Sequence, residues 1–153
     1  METLERLLAE HHFFQGMEKR HLQLLVGCAS NVRFEEGQYL FRQGEAANNF
    51  YLIRHGKVAI EVHAQERGSI ILQTVSEGDV VGWSWLVPPH RWMFDARAVE
   101  PTRGIALDGT CLRQKSEEDH EFGYVLLKRF AQVMTERLEA ARLQLINIHG
   151  PLD

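Results

Sequence analysis

Three glycines frame residues 36–60, in Glu36-Gly37, Gln43-Gly44-Glu45 and His55-Gly56. Between them lie apolar stretches of strand length, with β-branched or aromatic residues at near-alternate positions. Glycine accepts the positive φ of a tight turn, which other residues resist. Turn, short apolar run and turn again is the pattern of antiparallel strands. It continues through strand candidates at 31–34, 39–41, 49–55, 57–63, 69–75, 80–82, 95–98 and 103–108. Further turn signals separate these, at Arg67-Gly68, Glu77-Gly78-Asp79, Pro101 and Asp108-Gly109. Many short strands between glycine turns predict a mainly β fold, a sandwich or jelly-roll-like barrel.

Helical patterns flank this core. In residues 1–30, Leu4, Leu7 and Leu8 share a face, as do Leu22, Leu24, Leu25 and Cys28, with a break at His11 to Met17. Residues 110–148 return to helix, with Thr110 or Ser116 as caps and Glu117, Glu118 and Asp119 in a first turn. There Leu127, Phe130, Met134, Leu138, Ala141, Leu145 and Ile148 recur at steps of three and four. The early part of the stripe is expected to pack on the β domain. From Phe130 onward it needs a partner.

At 153 residues the chain is expected to form one domain, large enough to bury a core without covalent staples. A net charge of −4 argues against nonspecific nucleic-acid binding through bulk charge. The two cysteines, Cys28 and Cys111, lie far apart in sequence. They are expected as buried free thiols, which places the chain in a reducing, cytoplasmic compartment. Its start is acidic and amphipathic, unlike a signal peptide, and no apolar run approaches the length of a membrane span.

Within 36–60 the order is Glu-Gly, a large apolar pair, Gly44-Glu45 with Ala47 close by, Phe50-Tyr51-x-Ile53 and Gly56-Lys57-Val58. This order resembles the opening of the cyclic nucleotide-binding domain, the sensor half of Crp/Fnr-type regulators. The same domain occurs in cyclic-nucleotide-dependent kinases and ion channels. The resemblance implies a β-roll over 31–109 with N-terminal helices (1–30), C-terminal helices (110–148) and a ligand cassette at 78–98. It also implies a homodimer through Phe130, Met134, Leu138, Ala141, Leu145 and Ile148. The helix-turn-helix domain that follows in those regulators is not expected here, and neither is direct DNA binding.

In that family a Gly-Glu pair opens a short helix whose N–H groups face the cyclic phosphate. The glutamate takes the ribose 2′-hydroxyl, and a later arginine pairs with the phosphate. Here Gly78-Asp79 and Gly82 match the start of the cassette, and Ala96-Arg97-Ala98 matches its end. Trp83 stands at the glutamate, and Trp92 at the arginine with Arg91 beside it. Asp95 would repel a phosphate unless paired. All three tryptophans fall in this segment. The candidate ligand-binding residues are Gly82, Trp83, Ser84, Trp85, Arg91, Trp92, Arg97 and Arg142, with Arg91 as the anion partner.

Two functional readings follow. One is a sensing module that takes a cyclic nucleotide, another nucleotide or a small anionic ligand, and signals to a partner protein. The other is an interaction or scaffold dimer that kept the fold and lost the pocket. The sequence has neither a Gly-x-Ser-x-Gly elbow nor a Walker loop, so no enzyme is expected. The eight histidines lack metal-ligand spacing, which gives metal and haem little support and leaves His21 and His120 as surface or capping residues.

Overall fold

The computed structural model describes residues 3–66 and 68–149. Two short helices, α1 (Leu4–Glu10) and α2 (Lys19–Val26), flank a single 3-10 turn at His12–Phe14. Eight strands follow: β1 (Ala29–Phe34), β2 (Tyr39–Phe41), β3 (Asn49–His55), β4 (Lys57–Ala64), β5 (Gly68–Ser76), β6 (Val80–Val81), β7 (Asp95–Ala98) and β8 (Thr102–Asp108). Helices α3 (Gly109–Glu118) and α4 (His120–His149) close the chain. The strands match the sequence expectation to within two residues at each end. Gly37, Gly44, Gly56, Gly68 and Gly78 all carry positive φ at the strand ends. Arg67, expected in the β4–β5 turn, lies outside the described residues.

The strands form two four-stranded antiparallel sheets, ordered β1-β8-β3-β6 and β2-β7-β4-β5. Strand β3 shows how two cores arise from one period of two. Tyr51 and Ile53 point toward the second sheet and join Phe41, Val58, Ile60, Val81, Trp92, Ala96 and Ala98. Phe50 and Leu52 point the other way, toward the helices, and join Leu8, Phe14, Leu25, Trp85, Leu112, Phe122, Leu126 and Phe130. A strand buried on both faces reads as the near-continuous apolar run Phe50-Tyr51-Leu52-Ile53.

The first half of α4 belongs to this second core. Phe130 is fully buried and meets Phe13 and Phe50 edge-on at ring separations of 5.0 and 4.8 Å. Its expected place on an intersubunit seam is therefore corrected: it is internal packing. The buried face before it runs Phe122, Leu126 and Phe130, at steps of four, while Leu127 is exposed. The caps also differ from expectation. The Asp108 carboxylate accepts from the Thr110 and Cys111 N–H groups and starts α3. The Asp119 carboxylate accepts from the Phe122 N–H and starts α4. Aspartate reaches the free N–H groups of a first turn at least as well as Thr or Ser.

Cys28 and Cys111 are disulfide-bonded, contrary to the free thiols expected. The register Ala29↔Leu107 puts the end of α2 beside the start of α3, with Cα atoms 5.7 Å apart. Paired cysteines remove the basis for a reducing compartment. Among the described residues no helix is long and apolar enough to cross a membrane.

Two histidines are structural. The His11 Nε2–H donates to the Ile53 carbonyl at 3.1 Å, and its Nδ1 accepts from the Phe13 N–H. Burial holds its pKa below the ordinary 6.5. His21, expected at the surface, is buried against Phe122 and accepts at Nε2 from Arg20 at 2.9 Å. Glu18, His21 and Glu121 bring donor atoms within 4.8 Å of one another. Arg20 occupies that cluster, bonded to Asp119 and Glu121.

Candidate functional site

The cassette folds on its glycines and on the segment it faces. Gly82 has φ +94°, and a Cβ there would lie 2.4 Å from the Trp92 ring. The chain then makes a turn closed by the Leu86 N–H to the Trp83 carbonyl. The helix expected after Gly82 is absent, so no helix N-terminus faces the pocket there. A second turn, through a cis Pro88-Pro89 bond, is closed by the His90 N–H to the Val87 carbonyl. The returning strand-like segment pairs with residues 44–47: the Trp92 N–H donates to the Glu45 carbonyl and the Ala47 N–H to the His90 carbonyl.

That pairing decides which side chains face in. Neighbours alternate across an extended segment, so Trp92 turns inward and Arg91 outward. Trp92 stacks flat on Phe41 with ring centroids 3.7 Å apart. It fills space over Gly82, where the resemblance puts a phosphate. Arg91 is exposed and donates to the Gly44 carbonyl at 2.9 Å. It holds a turn and lies outside the cavity, so its role as the anion partner is corrected.

Arg97 and Arg142 are also removed from the site. Ala96 and Ala98 point into the roll, so Arg97 stands on the outer face of the second sheet. Its guanidinium makes two hydrogen bonds to the buried Glu61 carboxylate, at 2.9 and 3.3 Å. That pairing holds Arg97 firmly protonated. Beside it Asp95 is buried, accepts from the Gln43 N–H at 2.7 Å and lies 3.7 Å from Arg42 Nε. Arg142 is exposed and bonds Glu139 on its own helix.

The tryptophans do not share one place. Trp85 sits in the helix-side core, stacked on Phe50 at 5.3 Å, and its carbonyl accepts from Arg113. Trp92 is in the roll, and Trp83 is half-buried between the roll and α4. Only Trp83 and Trp92 reach the cavity.

That cavity, of about 490 Å³, opens between the roll and the middle of α4. Phe41, Ile60 and Leu72 line its floor, the cassette supplies Gly82, Trp83, Ser84 and Trp92, and α4 supplies Met134, Arg137, Leu138, Ala141 and Gln144. Arg137 is the cation that sequence reasoning missed. It donates to the Val80 carbonyl and lies 5.0 Å over the Trp83 ring. Burial lowers its pKa, with Asp79 and Glu136 opposing that effect from a distance. A signal was present in the sequence. Phe130, Met134, Arg137 and Ala141 follow steps of four, three and four, which is one helix face.

Residues 31–119 match the sequence model of the cyclic nucleotide-binding domain. Among curated proteins the chain is 26% identical over 129 residues to a CRP-like cAMP-activated global transcriptional regulator of Mycobacterium tuberculosis. That alignment covers 84% of this chain and 58% of the regulator, so the chain spans little more than half of that relative. Its fold is also that of a cyclic nucleotide-binding domain from Methylobacillus flagellatus, at TM-score 0.83 and 17% identity, covering 97% of this chain and 85% of that one. The sensor domain of the transcriptional regulator DNR from Pseudomonas aeruginosa superposes at TM-score 0.70 and 24% identity, over 88% of this chain and 91% of that one.

Proposed function

The chain belongs to the cyclic nucleotide-binding domain family, and from that premise we propose that it is a regulatory sensing module whose small ligand enters the cavity between the roll and α4. Ligand occupancy shifts α4 against the roll, and a partner protein reads the shift. The observation that carries this reading is a 490 Å³ cavity bridging the cassette and α4, with the half-buried Arg137 in its wall. Its size falls in the range of small-molecule sites.

Ordinary cyclic AMP is a poor fit. Trp83 cannot make the ribose contact of a glutamate, a charge-assisted bond worth ~1.5–3 kcal/mol. Trp92 occupies the space over Gly82. Tryptophan emission reports on the cavity because Trp83 and Trp92 both line it, over a background from Trp85 in the helix-side core. Titration with cyclic mononucleotides, cyclic dinucleotides, ATP, AMP, haem and apolar acids should give a saturable change for at least one compound class. Cyclic AMP should bind weakly. Trp83→Glu should tighten cyclic AMP by about ten-fold, the low end of that bond's value. If no compound changes the emission and Trp83→Glu gains nothing, Trp92 has closed the pocket and the protein is a scaffold.

The same premise supports a homodimer through the second half of α4. Leu138, Leu145 and Ile148 are 52%, 56% and 75% exposed there, and Ala141 lies on the same stripe. Met134 is half-buried against the core. Sedimentation should show a dimer at micromolar concentration, and Leu145→Lys should give monomers by placing an unpaired charge in the seam. A monomeric wild type would rule the seam out.

A further inference from the structure

We propose that the ligand is an amphipathic monoacid, with a flat or branched apolar body and a single carboxylate or sulfonate that pairs with Arg137. This rests on the reading of the cavity as a ligand site. The wall is apolar on three sides: Phe41 and Trp92 on the roll, Leu72 at its rim, and Met134 and Leu138 on α4. Arg137 is the charged group in the lining, and no carboxylate joins it there. A guanidinium has five N–H donors. One is spent on the Val80 carbonyl, and the ring of Trp83 takes its face. Among the described residues, no carboxylate lies within ion-pair distance of Arg137.

The two sides of Arg137 also differ. On its far side Arg137 borders a second cavity, of about 360 Å³, that carries Asp79 and Glu136. Arg129 is in that lining too and balances the carboxylates, whereas on the apolar side Arg137 is the one charge an anion would meet. One charge is the number the wall can neutralise. A second charge would be buried against Trp, Leu and Met side chains without a charged partner. Ser84, Gln73 and Gln144 at the edge offer a few neutral hydrogen bonds.

Calorimetry with 2-naphthoate and 2-naphthamide, which share a body and differ in charge, tests the proposal on the full chain. Wild type should bind naphthoate at least ten-fold tighter than naphthamide, and cyclic AMP more weakly than naphthoate. Arg137→Met should remove the preference, and Arg137→Lys should keep most of it, which guards against a variant that merely misfolds. Ala141→Phe, which fills the cavity, should weaken both probes. Equal binding of the two probes to wild type overturns the ligand class and leaves the cavity reading standing, as does tighter binding of cyclic AMP. Binding that survives Ala141→Phe places the probes elsewhere and overturns the proposal. Failure of both probes to bind, with tryptophan emission unchanged by every compound class, removes the cavity reading itself and the proposal with it.

Discussion

Phe130→Ala should lower the unfolding free energy by about 3–5 kcal/mol, the range for a buried phenylalanine cut to alanine. Phe130 is fully buried among Phe13, Phe50 and Trp85, whose rings stand 5.0, 4.8 and 5.4 Å away. Edge-to-face pairs of this kind add to what area alone contributes. The side chain joins α4 to the 3-10 turn, to β3 and to the cassette at once, so the gap it leaves cannot collapse from one side. The loss should be the same at low and high protein concentration, because the contact is made within one chain. Urea unfolding at two concentrations, beside Leu145→Ala, measures this. Leu145 is 56% exposed, so its loss should cost the protomer little. A Phe130 effect that appears only through dissociation of subunits would return the residue to the seam.

Arg97→Ala should cost about 3 kcal/mol, the low end for breaking a buried ion pair, because the arginine itself is partly wet. Glu61 is 1% exposed and depends on Arg97 for its charged hydrogen bonds. Removing the arginine leaves the buried carboxylate without its charged partner. Replacing both partners, Glu61→Met with Arg97→Met, should restore stability to near the wild-type value, because no stranded charge remains. Denaturant midpoints of the single and double variants decide it. If Arg97→Ala alone is neutral, the pair is screened by solvent and Glu61 is not the buried acid described.

The β-roll was legible because its turns carry their own chemistry. A positive-φ glycine marks a strand end whatever the rest of the fold does, as Gly37, Gly44 and Gly56 do. The stripe on α4 was legible as a stripe but not by its partners. Phe122, Leu126 and Phe130 face the core, while Leu138, Leu145 and Ile148 are exposed, since the core ends partway along the helix. Nothing in a period of 3.6 says where that happens. The cassette was least legible. Trp83, Trp85 and Trp92 are close in sequence, yet two turns and one strand-like pairing send them to different environments. Arg91 and Arg97 lie beside inward residues, and a single step of alternation puts each outside. Cys28 and Cys111 meet only because β1 and β8 pair, which is a property of the sheet.

The Cys28–Cys111 bond spans a separation of 83 residues and makes the β-roll a closed covalent ring with a tail at each end. The early turn of α3 is welded to that ring, and Arg20 ties Asp119 from the other tail. The junction between α3 and α4 is Asp119, whose backbone is extended (φ −135°, ψ 94°) while its N–H and carbonyl keep hydrogen bonds to Lys115 and Gly123. Phe122, Leu126 and Phe130 then fix the first half of α4 in the core, so under the proposed sensing the arm that moves begins beyond Phe130. Arg137 lies seven residues out on that arm, and a displacement at the cavity would be carried farther still at the tip of the helix.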